Sequence, residues 1–243
     1  MTGDSARTTK VAAVADLHVR EGVEESWRDV LADIANAADI LVLAGDLTNR
    51  GLPGEAKILA RELEHYRLPV VAVLGNHDFE SGQQEEVRRI LARSGVRMLQ
   101  DEAAEIDDVG FAGVKGFAGG FDTHMLEPWG EQMVKDFVFE TVNEAMRLEG
   151  ALATLRTPKK IAVLHYAPIS ETVEGEPEVI FPFLGSSRLV EPICRFDVSA
   201  VFHGHAHHGK PKGKTANGIA VYNVSLPLLL ATRPDQPFAL VEV

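Results

Sequence analysis

Five short polar clusters, each closing an apolar run, carry residue types that hold metal ions: Asp16-Leu17-His18, Gly45-Asp46, Gly75-Asn76-His77-Asp78, His165 and Gly204-His205-Ala206-His207. Oxygen and imidazole ligands gathered around two cations can activate water against a phosphate ester at neutral pH. Each cluster alone has a plainer reading. An Asp-x-His or Gly-Asp pair is commonly a turn after a strand, a lone His165 is commonly a core histidine, and Gly75-Asn76-His77-Asp78 suits a tight turn. Taken together, at the ends of successive apolar runs, they point to a metal centre. If the chain stays extended past Val14, Asp16 and His18 point the same way and chelate one ion, and His205 and His207 share that geometry. No thiolate accompanies them, which favours Mn, Fe, Zn, Ni or Co over a structural zinc site.

The elements that must position these residues are legible from hydrophobic patterning. Apolar runs at 10–15, 39–44, 69–74, 110–114, 160–164 and 198–202 are short and end in polar or Gly-containing turns, which predicts buried strands. Further strands are expected at 219–224 and 238–243. Trp27, Val30, Leu31, Ile34 and Ala38 follow one helical face, as do Ile58, Leu59, Leu63 and Tyr66, and then Val87, Ile90 and Leu91. Ser81, three residues before Gln84, is a candidate cap for the last of these. Strand, helix, strand repetition implies a parallel sheet in the N-terminal half, with ligands collecting at the carboxyl ends of its strands. The Gly-rich segment 116–130 interrupts the rhythm before a helical stretch over 131–152, and it is expected to form a rim or lid over the site.

Bulk properties narrow the function classes. The chain has 243 residues, 45% hydrophobic and 25% charged, with no long polar tract, so one ordered domain over 1–243 is expected. A formal charge of -12 disfavours gripping long nucleic acid, which needs a continuous basic surface. Small phosphorylated substrates stay compatible, because two divalent cations would add about +4 locally. Cys194 is the only cysteine, so no intrachain disulfide forms and a reducing, cytoplasmic setting is expected. Its apolar neighbours suggest a small buried filler. The polar residues 1–10 and the short run after them do not make a secretory core, and nothing approaches the 18 or so apolar residues of a membrane span. The sequence carries no signal for oligomeric state.

The order Asp-x-His, Gly-Asp, Gly-Asn-His-Asp, His, Gly-His-x-His over residues 16–207 resembles the calcineurin-like metallophosphoesterase superfamily. The resemblance implies an α/β fold of four layers, α/β/β/α, with two mixed sheets packed together and helices outside. It implies that Asp16, His18, Asp46 and His207 hold one metal and that Asp46, Asn76, His165 and His205 hold the second, with Asp46 as the bridge. It further implies a hydroxide between the metals as nucleophile, His77 facing the leaving group, and Asp78 orienting the His77 ring. The chain departs from the family's protein phosphatases, which have Asp where this one has Asn49 and Glu where it has Asp78.

Several further residues are weighed on weaker grounds. Arg50 could fork onto a phosphate or be a surface turn residue. His124, in the Gly-rich segment, is a candidate substrate contact. His203 is expected to pack or to support the metal ligands from behind, His65 to lie on a solvated helix face, and Phe181-Pro182-Phe183-Leu184 to pack on the core. The expected activity is hydrolysis of a phosphodiester of small or modest size, such as a nucleotide. Alternatives are a phosphomonoesterase, including one acting on phosphoproteins, a nuclease of the same superfamily, and a protein-binding scaffold without catalysis.

Overall fold

The computed structural model describes residues 8–23, 27–100 and 102–243; the polar stretch 1–7 lies outside the described residues. The elements in chain order are β1 (Lys10–Val14), α1 (Trp27–Ala37), β2 (Ile40–Ala44), α2 (Pro53–Leu63), β3 (Val70–Val73), α3 (Gln84–Arg93), β4 (Arg97–Met98), β5 (Ala103–Ile106), β6 (Val109–Val114), α4 (Gln132–Thr154), β7 (Lys159–Leu164), α5 (Phe181–Leu184), α6 (Val190–Arg195), β8 (Ala200–His203), β9 (Lys212–Lys214), β10 (Ala220–Asn223), α7 (Leu226–Thr232) and β11 (Ala239–Glu242). All eight predicted strands form, within one or two residues of the expected bounds.

Two mixed sheets result. One has the order β11-β1-β2-β3-β4, with β11 antiparallel to β1 and the rest parallel. The other has the order β5-β6-β7-β8-β10-β9, parallel from β6 to β10 and antiparallel at both edges. Alternation within each buried strand builds the layers. Val11, Ala13, Ile40, Val42, Val71 and Val73 face Phe111, Ile161, Val163 and Phe202 across the gap between the sheets. Ala12, Val14, Leu41, Leu43 and Ala72 face the other way, onto Trp27, Leu31, Ile34, Leu59, Leu63, Val87 and Leu91 of α1 to α3. On the far side, Ala112, Val114, Ala162, Leu164 and Val201 meet Leu148 and Leu152 of α4 and Ile193 of α6. Strands covered on both faces have no polar side, which is why their sequences read as unbroken apolar runs. The arrangement is the expected four-layer α/β sandwich. Among the described residues no helix is long and apolar enough to cross a membrane.

Some local expectations are corrected. Ser81 does not cap α3: its hydroxyl donates to Gly51 O at 2.6 Å, and the residue before the helix is Gln83. Its hydrogen bond to a neighbouring loop displaces the capping role. α2 ends at Leu63, so the exposed His65 lies in the turn beyond it. Cys194 is half-buried rather than buried, with its thiol donating to Asn217 Oδ1 at 3.1 Å.

Candidate metal centre

The metal-ligating residues named from sequence converge where the strands of both sheets end. Asp16 and His18 follow β1, Asp46 follows β2, Asn76 and His77 follow β3, His165 follows β7, and His205 and His207 follow β8. The turns are not extended: Asp16, His18, Asp46 and His205 all have left-handed backbones, with φ of 58°, 46°, 50° and 71°. The expected same-side chelation by an extended segment is therefore wrong in its geometry. Non-glycine residues enter this region at a cost, and their gathering at one site marks backbone strained to aim side chains. Glycine supplies the clearance. A Cβ on Gly75 would collide with Asp46 Oδ1, and one on Gly45 would press into the His165 ring.

Two sets of donors form around Asp46. Ligand atoms of Asp16, His18 and His207 lie within 4.8 Å of one another, and so do those of Asp46, His165 and His205; a third group at the same spacing, His18, Asp46 and His77, links the two. His207 Nε2 is 3.1 Å from Asp16 Oδ1. Asp46 presents Oδ1 to His165 Nε2 at 3.3 Å and Oδ2 to His18 Nε2 at 3.8 Å, so its two oxygens look into different sets. His205 and His207 separate between the two sets, because the left-handed turn at His205 directs the two rings apart.

The hydrogen bonds behind the rings determine which nitrogen is free. His165 Nδ1 donates to Ala44 O at 3.1 Å, and His205 Nε2 donates to Phe183 O at 3.2 Å. Each neutral ring then keeps one bare lone pair, the usual preparation of a ligating histidine. That of His165, at Nε2, faces Asn76 Oδ1 at 2.8 Å and Asp46 Oδ1 at 3.3 Å. Burial holds the His165 pKa well below 6.5, so Nε2 stays a bare acceptor, and a proton on Asp46 or a cation is needed to join the three atoms. Both ring nitrogens of His18 are buried without a hydrogen-bond partner among the described residues, and burial depresses this pKa to about 4. Buried acceptors facing one another without a donor are costly. A pair of cations resolves the conflict, and the donor set fits them.

The carboxylates carry the same message. Burial and the charges of Asp16 and Asp78 push Asp46 well above the usual carboxylate range. Burial also pushes Asp16 upward, but the hydrogen bond from His207 and the nearby histidines outweigh it and hold Asp16 low. Asp16 correspondingly raises His207 against the effect of burial.

His77 stands at the edge of the cluster. Its backbone N–H donates to Asp46 Oδ1 at 2.8 Å, its Nδ1 lies 2.8 Å from Asn49 O, and its Nε2 is 4.0 Å from Asp46 Oδ2. Asp78 does not orient this ring. Its carboxylate is fully buried and accepts from Leu47 N, Thr48 N, Thr48 Oγ1 and Gly75 N at 3.2, 2.8, 2.5 and 2.8 Å, tying the loop after β2 to the loop after β3. The orienting contact passes to the Asn49 carbonyl, which the sequence reading missed; a backbone acceptor has no side-chain signature. Burial raises the Asp78 pKa against these hydrogen bonds.

The weaker candidates fall outside the cluster. Arg50 is exposed; its backbone N–H donates to Glu55, and among the described residues no hydrogen bond or ion pair joins its guanidinium to the ligands. His124 is exposed and lines a cavity of about 410 Å³ with Phe121, Asp122, Ser170 and Phe181, beside the cluster rather than in it. The Gly-rich segment forms one wall there, held by Gly119 N to Pro182 O and Gly120 N to Gly185 O at 2.8 and 2.9 Å. Phe181 and Leu184 pack inward as expected, whereas Phe183 is exposed and contributes the carbonyl under His205. His203 is buried with both nitrogens satisfied, on Gly204 O and Thr172 Oγ1 at 2.8 Å each.

The chain matches the model of the calcineurin-like phosphoesterases over residues 9–209, and it belongs to that family. Its fold is shared by the phosphopantetheinyl hydrolase PptH of Mycobacterium tuberculosis, with a TM-score of 0.69 and 14% identity over 96% of this chain and 95% of that one. The protein TT1561 of Thermus thermophilus is also similar, with a TM-score of 0.61 and 17% identity over 97% and 99%. At such identities the likeness concerns the fold. No curated protein matches the sequence.

Proposed function

We propose that the protein is a two-metal phosphoester hydrolase that cleaves a phosphodiester of small or modest size. The observation that carries this reading is Asp46, whose two oxygens address two separate sets of donors while His77 Nε2 borders the same space. Asp16, His18, Asp46 and His207 would hold one cation, and Asp46, Asn76, His165 and His205 the other. When bound, the pair supplies positive charge for the phosphoryl oxygens and lowers the pKa of a water. The chain's own residues do the rest. With Nδ1–H on Asn49 O, His77 turns Nε2 toward the reacting group, and in the doubly protonated ring Nε2–H donates a proton or hydrogen bond to the departing oxygen. Asp78 keeps the two loops in register so that this ring and Asp46 stay opposed.

The diester preference comes from the wording Gly-Asp-Leu-Thr and Gly-Asn-His-Asp, which resembles the cyclic-nucleotide-phosphodiesterase-like branch. PptH, which shares the fold, is by its name a phosphopantetheinyl hydrolase. A single domain over 1–243 and a cytoplasmic setting belong to the same reading. Purified protein loaded with Mn should cleave bis(p-nitrophenyl) phosphate faster than p-nitrophenyl phosphate. Equal or slower cleavage of the diester removes the preference and leaves a monoesterase; metal binding without turnover of either ester removes the hydrolase and revives a scaffold.

A further inference from the structure

Lys115 immediately follows β6 and was not among the residues singled out by sequence. Its carbonyl accepts from both His165 N and Tyr166 N at 3.0 Å each, and Gly116 N donates to the buried Glu144 at 2.6 Å. The turn that carries the lysine is thus fixed to the segment bearing His165. The ammonium lies 4.8, 5.2 and 5.6 Å from the ring centroids of Phe117, Tyr166 and Phe79. Two of these rings adjoin the centre. Phe79 follows His77 and Asp78, and the Tyr166 ring is 4.4 Å from His205 and 5.6 Å from His165.

An ammonium has three donors, and among the described residues one of them is used, on Gly116 O at 2.8 Å. Aromatic faces attract a cation but do not replace hydrogen bonds. Burial disfavours the ammonium and the nearby charges of Glu144 and Glu140 favour it, but neither carboxylate accepts a hydrogen bond from it among the described residues, and Arg147 meets Glu144 at 2.6 Å. A rigidly seated cation with unused donors, one ring away from two metal-set histidines, is arranged for an anion that comes from outside the protein.

We propose that Lys115 binds an anionic oxygen of the substrate on the side of the centre formed by Asn76, His165 and His205. This inference rests on the phosphoesterase reading. The oxygen belongs either to the scissile phosphoryl group or to a second anionic group on the same molecule.

The test uses Mn-loaded wild type, Lys115→Gln and Lys115→Arg, with binding of inorganic phosphate and pyrophosphate followed by calorimetry beside KM and kcat. In Lys115→Gln, anion Kd and substrate KM should rise about 10- to 100-fold, the span of a lost charge-assisted hydrogen bond, with kcat changing less and Mn content unchanged. Lys115→Arg should retain most of the binding. Weakened phosphate binding assigns the scissile group; weakened pyrophosphate binding alone assigns the second anion. Wild-type affinity of Lys115→Gln for both anions overturns the proposal, and the hydrolase reading then survives it. If the wild type cleaves no phosphoester, the hydrolase reading falls, while the difference in anion binding still decides the role of Lys115. Should the Gln variant not fold, Lys115→Met fills the same ring-lined space without charge.

Discussion

At the scale of single residues, His77 divides its nitrogens between two tasks. Nδ1 is spent on the Asn49 carbonyl, and Nε2 is left for the role proposed above. Because the ring is not counted among the ligands, His77→Ala should lower kcat by about 10²–10⁴ and leave metal content unchanged. Asp46→Ala should instead lose metal, since both donor sets share that carboxylate; equal metal loss in the two variants would undo this division. His203 illustrates the opposite kind of histidine, one whose work is structural. His203→Ala leaves Thr172 and Gly204 without their partner and should cost about 1–3 kcal/mol in unfolding. Burial holds its pKa at about 4, below the 6.5 of an unfolded histidine. The unfolded chain therefore takes up the proton first. The stability that His203 confers is complete above about pH 6.5 and lost as pH falls through about 4. Melting curves of wild type and variant should accordingly converge on acidification; curves that separate would contradict the assignment.

At the scale of elements, the strands were readable because those covered on both faces need no polar side, so length and punctuation identify them. The strands that sequence did not reveal are β4, β5 and β9. β4 has two residues, β5 alternates exposed and buried positions, and β9 is Lys-Gly-Lys, an edge that repels further pairing through charge. The residues that gather in the donor cluster were legible as well, while the turns were not. Nothing local tells that Asp16 or His205 has a left-handed backbone, because the loops after different strands fix it jointly. The same holds for Asp78, whose four donors come from two other loop positions and its own turn. The glycines in these turns are where this packing is most easily broken. Gly75→Ala places a methyl against Asp46 Oδ1 and the Asp46 backbone. It should destabilise by about 1–3 kcal/mol, the usual span of overpacking, and weaken metal binding measurably in a titration with Mn. Unchanged metal affinity would show that the loop after β3 can move without carrying Asp46 with it.

At the scale of the whole molecule, an acidic chain gathers its least favourable charges and lone pairs at one end of a sandwich. Chelation should therefore lower the melting temperature, and Mn should restore it in a concentration-dependent way, each site adding about 2.7 kcal/mol of unfolding free energy at a free concentration a hundred times its Kd. A melting temperature indifferent to both treatments would mean that no ion is held by the folded state. The proposed ligands come from both sheets: Asp16, His18, Asp46 and Asn76 follow strands of one, His165, His205 and His207 strands of the other. Each ion would thus be laced across the interior seam. Metal loading should therefore clamp the two sheets to each other where their strands end, and slow amide exchange there before it does so at the opposite rim.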